Sequence, residues 1–331
     1  MSTNIISFPK LNISFEINRI AFSIFGKPIY WYGIIIAIGF ALGVWLALVR
    51  AKKAGIDYDA ILDIVLWGLP TCIVCARLFY VIGDPSVLEG AWWKVFAVWE
   101  GGIAIFGAII GAIIVGFVYS KAKKIDTGLL FDVCAPAIML GQIIGRWGNF
   151  VNAEVYGGVT ESLFGMSING RACVQPLFLY ESIWMMIGLI MLLIYQKHKH
   201  INGEIFLIYI MWYGVGRSVL ETFRQEEYIL QIWGMPMSQN VAIIAFLVAL
   251  VLYIYLRKKN NLKKNQKTGM DKGSIGGKDN MNEIDTLKEE IKTMRKNLNK
   301  LYVEGVSEEQ ILESSIALDK KIDEYNKLNN I

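Results

Sequence analysis

The stretch GGIAIFGAIIGAIIVGFVY, residues 101–119, contains no charged side chain and sets five glycines among alanines, branched aliphatics and aromatics. About 20 such residues, wound as a helix, cross the roughly 30 Å hydrocarbon core of a bilayer. Glycines spaced as in GAIIGAIIVG (107–116) let helices approach closely where lipid supplies no hydrophobic drive. Outward from this run, six more apolar stretches qualify, at about 31–49, 59–82, 127–145, 179–196, 204–221 and 239–256. The expected fold class is all-α: a polytopic membrane protein with seven transmembrane helices.

Composition agrees. Of 331 residues, 54% are hydrophobic and 19% charged, with mean hydropathy +0.42. The charge is concentrated at one end: residues 257–331 hold 16 Lys+Arg and 13 Asp+Glu, whereas the preceding 256 hold 17 and 16. Three parts are expected: a membrane domain (1–256), a basic, flexible linker (257–280) and a soluble helical hairpin (281–331). Residues 1–28 are polar and mixed, unlike a cleavable signal peptide. The net charge of +4 is scattered or beside the membrane, so no nucleic acid is expected as a partner.

Lys and Arg cluster after the first span (Arg50, Lys52, Lys53), the third (Lys121, Lys123, Lys124), the fifth (Lys197, Lys199) and the seventh (RKKNNLKKNQK, 257–267). The intervening connectors are poor in Lys. The positive-inside rule then predicts a cytoplasmic C-terminus and an outer N-terminus, with Trp92 and Trp93 as an interfacial anchor.

Charges are expensive at membrane depth and mark function. They gather on the predicted outer side. Arg77 and Tyr80 lie one turn apart, and Glu100 opens the third span. GRWGNFVNAEVYG (145–157) brings Arg146, Asn149, Asn152 and Glu154 among glycines on leaving span four. Tyr180 and Glu181 start span five. YGVGRSVLETFR (213–224) aligns Tyr213, Arg217 and Glu221 at four-residue spacing, with Arg224 a turn further. Arg217 with Glu221 also reads as a structural ion pair, Arg77 as a snorkelling side chain, and Asp132 in span four as a packing residue. Guanidinium groups suit phosphate, and a phosphate at a membrane surface is most simply a phospholipid headgroup. A Walker loop, a dinucleotide fingerprint and a zinc signature are lacking, so neither cofactor nor metal is expected. Cys72 and Cys75 form C-x-x-C inside an apolar run and suit helix packing better than redox chemistry. His198 and His200 lack acidic or Cys partners for a metal site. The residues themselves leave two readings: an enzyme acting on an anionic lipid, or a transporter or binding protein for one.

These motifs resemble the prolipoprotein diacylglyceryl transferase family. The signature G-R-x-G-N-F-x-N-x-E-x-x-G is matched at 145–157, with WYG at 31–33, ARLFYV at 76–81, WEGG at 99–102, QPLFLYES at 175–182 and YGVGRSVLETFRQ at 213–225. The resemblance covers about residues 20–256. It implies a bacterial plasma-membrane enzyme whose active site faces the outer leaflet. Such an enzyme moves diacylglyceryl from phosphatidylglycerol to the lipobox cysteine of a preprolipoprotein and releases glycerol phosphate. Carried over by position, it implies catalytic roles for Arg146, Asn149, Glu154 and Arg217. Substrate contacts are implied for Tyr32, Arg77, Tyr80, Asn152, Gly157, Tyr213, Glu221 and Arg224. Two positions depart from the family: Phe106 and Gln175 stand where many members carry histidine. With no histidine on the outer side, the base has to be a carboxylate, water or the phosphate itself.

In the tail, Ile284, Leu287, Ile291, Met294, Leu298 and Leu301 alternate three and four apart, a heptad seam. Gly305 suits a C-terminal cap, SEEQ (307–310) a capping box, and Ile311, Ser315, Leu318, Ile322 and Tyr325 a second stripe. The predicted hairpin reads as a self-association device. It also resembles the small sporulation-type aspartyl-phosphate phosphatases, whose S-Q-E-L-D motif appears here as S-I-A-L-D, keeping Ser315, Leu318 and Asp319. That resemblance implies a phosphorylated response regulator as partner, with Ile316 and Ala317 replacing the polar pair.

Overall fold

The structure, a computed structural model, describes residues 3–88, 91–224, 231–232 and 235–328. The chain divides into two compact units, Met1–Arg257 and Lys258–Ile331.

The first unit opens with four strands: β1 (Thr3–Phe8), β2 (Ile13–Asn18), β3 (Ile20–Ile24) and β4 (Lys27–Tyr30). β1 pairs antiparallel with β2 and with the short β5 (Ser167–Ile168), and β3 with β4. These short strands add to the expected helical fold. Burial alternates along β1, with Asn4, Ile6 and Phe8 turned inward, which is a strand's period of two. Ile6 and Phe8 pack on Met166, Val174 and Phe178, so this small sheet braces the start of α5.

The helices are α1 (Trp31–Ala54), α2 (Tyr58–Gly83), α3 (Ile105–Ala122), α4 (Thr127–Asn152), α5 (Leu177–Tyr195), α6 (Glu204–Glu221) and α7 (Met237–Glu304). The second unit adds α8 (Glu308–Leu328). Strands β6 (Gln231–Ile232) and β7 (Met235–Pro236) pair ahead of α7. Among the described residues, six helices are long and apolar enough to cross a membrane: α1, α2, α3, α4, the stretch built on α5, and Met237–Leu262 of α7. α6 has 18 residues but carries Glu204, Arg217 and Glu221, so composition alone sets it apart.

Glycines decide which helices touch. A Cβ on Gly43 would lie 3.1 Å from the Ala137 carbonyl, and one on Gly39 3.1 Å from Ile144 Cγ2, so α1 lies directly on α4. On α3, a Cβ at Gly107 would come within 2.3 Å of the Cys75 carbonyl, and one at Gly111 within 3.0 Å of Cys72 Cα. Cys72 and Cys75 are free thiols that serve this α2–α3 contact. Apolar residues on the outer faces, among them Ile36, Leu62, Trp67, Ile113, Ile190 and Val251, are exposed, as suits side chains that meet lipid.

Basic residues collect at one end of the bundle. Arg50 donates to the Asp132 and Val133 carbonyls and to Gln196. Asp132, 2% exposed, accepts from the Gly203 and Phe206 amides and from Lys199, which makes it an anionic cap on the start of α6. Fully buried Glu204 accepts from Arg257, Tyr195 and the His200 amide. His200 Nδ1 lies 3.2 Å from Arg257.

α4 continues through GRWGNFVN to Asn152, past the end expected for the span at about 145. Residues 257–280, read as a basic linker, fall within α7 as it runs from Met237 to Glu304. The side chains of residues 263–282 lie outside the described residues, as does Gln225. In the second unit, Leu287 and Leu318 are buried and Lys321 of α8 pairs with Glu290 at 3.0 Å.

Candidate active site

At the end of the bundle opposite the basic one, three helices meet. α5 and α6 run antiparallel over their whole length, from Tyr195 with Glu204 at one end to Glu181 with Arg217 at the other. Between these ends, Trp184 and Trp212 stack at 4.3 Å, and each indole N–H donates to the other's backbone carbonyl, at 3.1 and 3.0 Å. This arrangement needs glycine opposite each ring. A Cβ on Gly216 would fall 2.2 Å from Trp184 Nε1, and one on Gly188 2.3 Å from Trp212 Nε1. The two sockets hold α5 and α6 in register and so set Arg217 against Glu181.

α4 brings Gln142 and, one turn on, Arg146. The Arg146 Nε meets Glu181 Oε2, while Arg217 Nη1 lies 3.3 Å from Glu181 Oε1. Arg217 Nη2 lies 2.7 Å from Glu221 Oε2, and Arg224 Nη1 3.5 Å from Glu221 Oε1. Ser238, at the start of α7, donates to Glu221 Oε1 at 2.6 Å. Arg146, Glu181, Arg217, Glu221 and Arg224 thus form one chain of contacts. Three guanidiniums against two carboxylates leave one positive charge over, in a place where Glu221 is 2% exposed. Such a surplus attracts an anion strongly because water screens it little. The cavity among Gln142, Arg146, Glu181, Tyr213 and Arg217 holds about 20 Å³ of free space, room for one water molecule. Its Gln142 Oε1 is buried without a hydrogen-bond partner.

The structure therefore unites Arg146, Tyr213, Arg217, Glu221 and Arg224 from the expected set. Other expected residues surround them. Tyr32 lies on Gly148, where a Cβ would be 2.8 Å from its ring. Tyr32 also borders an open groove with Arg19, Tyr30 and Asn152. Asn152 donates to exposed Glu154 at 3.3 Å, and the Asn149 carbonyl accepts the Glu154 amide at the end of α4. Gly157 is bridged to Arg224 and leaves no space for a side chain beside the Phe223 carbonyl. Of the signature glycines, Gly148 and Gly157 are sockets for neighbouring segments, whereas a Cβ at Gly145 would meet only Ile36 Cδ1 at 3.4 Å.

Arg77 and Tyr80 stand apart from this cluster. Arg77, 3% exposed, donates to the carbonyls of Lys94, Val95, Gly101 and Gly102, so four of its five N–H donors hold the 94–102 segment. Tyr80 stacks beside it, 5.7 Å away. Ser315, Leu318 and Asp319 belong to the second unit. Of the polar residues lining the cavity, Gln142 was not expected, and Glu181 was singled out as an outer-side charge but given no role. Glu181 stands in the QPLFLYES stretch, and Gln142 stands one turn before Arg146, which was the available signal.

Fold and site define a polytopic membrane protein with an anion-attracting cluster of arginines and carboxylates at one end of its bundle. Comparison with known proteins places it further. The profile of the prolipoprotein diacylglyceryl transferases matches residues 19–255. The phosphatidylglycerol–prolipoprotein diacylglyceryl transferase of Oceanobacillus iheyensis is 39% identical over 264 residues, covering 75% of this chain and 91% of that protein. The like-named proteins of Enterococcus faecalis (39% over 262 residues, 75% and 94% covered) and Clostridioides difficile (37% over 243 residues, 73% and 97%) agree. The chain belongs to the prolipoprotein diacylglyceryl transferase family of bacterial membrane enzymes.

Proposed function

We propose that the chain transfers the diacylglyceryl group of phosphatidylglycerol to the lipobox cysteine thiol of a preprolipoprotein and releases glycerol phosphate. The observation that carries this reading is the chain of half-buried arginines and buried carboxylates with its surplus positive charge. As the carbon–oxygen bond breaks, negative charge develops on the departing phosphate. Arg146 and Arg217, already held in place by Glu181, neutralise it with little solvent reorganisation. The unpartnered Gln142 Oε1 suits a glycerol hydroxyl. Radiolabelled phosphatidylglycerol mixed with a lipobox peptide tests the reading. A lipid thioether on the peptide is the expected product, whereas an anionic-lipid transporter leaves the peptide unmodified.

α6 completes seven spans in this reading, with the N-terminus outside and the C-terminus in the cytoplasm. Its support is the pairing of α6 with α5 along the full length of both, and the collection of Arg50, Lys199 and Arg257 at one end. Membrane insertion with cysteine labels on either side of α6 checks it.

For the tail, the reading is a cytoplasmic two-helix hairpin that engages a phosphorylated response regulator. The inward Leu287 and Leu318 and the exposed Asp319 favour a helix pair presenting that motif. An unchanged phosphate half-life of the regulator in the presence of the protein rejects the phosphatase version.

A further inference from the structure

We infer that Glu181 is the base that takes the proton from the lipobox thiol. The inference rests on the transferase reading and supplies a step that reading leaves open. The catalytic cluster has no histidine. His200 lies at the opposite end, beside Arg257, and His198 is two residues away from it. Three carboxylates stand near the reacting arginines. Glu154 is exposed, with Asn152 as its partner, and does not line the cavity. Glu221 keeps Ser238 and Arg224 whatever Arg217 does. Glu181 lines the cavity, and the two cations it touches are Arg146 and Arg217, the pair the phosphate needs.

Glu181 and a phosphate compete for the same two guanidiniums, so a phosphate that draws on both Arg146 and Arg217 takes donors from Glu181. Glu181 occupies the anion's place until the substrate arrives. Displaced, it is a carboxylate with 9% side-chain exposure whose two arginines have turned to the phosphate, next to the place the thiol must reach. Its Oε2 is the atom available. That oxygen is buried, and its contact with Arg146 is an ion pair that lacks hydrogen-bond alignment.

The step balances. The thiol proton passes to Glu181 Oε2, and a sulfur electron pair forms the bond to the glyceryl carbon. The carbon–oxygen bond to phosphate breaks, its electron pair staying with the oxygen of the departing glycerol phosphate, whose charge Arg146 and Arg217 carry. When the product leaves, the arginines return to Glu181 and its proton passes to phosphate or water. Substrate binding thus creates its own base.

The test uses the full-length protein, phosphatidylglycerol and two lipobox peptides, one with cysteine and one with selenocysteine, whose selenol ionises without help at neutral pH. Loss of a general base slows the thiol reaction by about 10²–10⁴-fold. E181Q is expected to show that loss with the cysteine peptide, to bind phosphatidylglycerol at least as tightly as the parent, and to regain activity to within about tenfold of the parent with the selenocysteine peptide. E181D is expected to fall between the two. Full activity of E181Q on cysteine overturns the inference, and so does equal slowing on both peptides, which marks a positioning role. If E181Q does not fold, E181D carries the same comparison, and equal slowing there also overturns it. A parent protein that forms no thioether with either peptide sinks the transferase reading instead.

Discussion

Gly216→Ala tests how tightly the α5–α6 register governs the site without touching a charged group. The new Cβ would lie 2.2 Å from Trp184 Nε1, 2.4 Å from Cδ1 and 2.9 Å from Cε2. Carbon contacts settle near 3.5 Å, so the indole or the helix has to move by about 1 Å. The indole has little room, because Trp212 stacks on it at 4.3 Å and its N–H is committed to the Trp212 carbonyl. Moving α6 breaks both reciprocal indole bonds. Overpacking of this kind costs about 1–3 kcal/mol, and each lost hydrogen bond about 1 kcal/mol more. The adjacent Arg217 moves with the backbone, away from Glu181. A misplacement of about 1 Å in a catalytic constellation lowers the rate by about 10²-fold. Thioether formation measured as kcat/KM, alongside thermal unfolding in detergent, checks both numbers. A variant with parental rate and parental Tm would refute the claim that these glycine sockets position the arginine.

Other expectations follow from the same contacts. Arg146→Ala and Arg217→Ala should each cut thioether formation by at least about 10²-fold, since each removes charge compensation at the leaving group; complementation of a transferase-deficient strain reads this out. Arg77→Ala leaves four carbonyls without their charged donor and should destabilise the folded protein by about 3 kcal/mol or more, a loss of several degrees in Tm that Arg77→Lys, with three donors, does not restore. Arg257→Ala strips fully buried Glu204 of its cation, costing about 3 kcal/mol, and Tm should fall while KM for phosphatidylglycerol stays within about twofold. A chain ended after residue 262 keeps every contact of the first unit and should form thioether at a rate within about twofold of the full chain.

Much of this was legible in the residues because lipid imposes simple rules. Apolar length marks a span, and the run from 204 to 221 coincides with α6 despite its three charges. The spacing of Tyr213, Arg217 and Glu221 anticipates a shared face, since one helix determines it. Glu181 is different. Its meaning comes from Arg146 on another helix and Arg217 on a third, and no local spacing encodes a partner across a helix interface. The partners of Arg77 are hidden for a related reason: the four carbonyls it holds belong to a segment 17 to 25 residues away, whose path sequence does not reveal. The glycines of GRWGNF stand out in the residues, but the reason for Gly148 does not: Tyr32 of another helix occupies the space a side chain there would need. The N-terminal strands escaped notice because β1 has six residues and only half of them face inward.

The distance from Asp132 to Arg146 along α4 has a consequence for where the reaction happens. Fourteen residues of helix rise about 21 Å, short of the roughly 30 Å hydrocarbon slab. In the proposed orientation, with the Asp132 end at the cytoplasmic boundary, Arg146 and Arg217 lie several ångströms beneath the outer headgroup plane. The proposed reaction then requires the lipid's phosphate to sink to meet them, and the acceptor sulfur to descend into the greasy layer rather than wait for lipid to be lifted out. An acceptor already buried in the bilayer is thus presented at the right depth, whereas the same cysteine on a water-soluble segment stays out of reach.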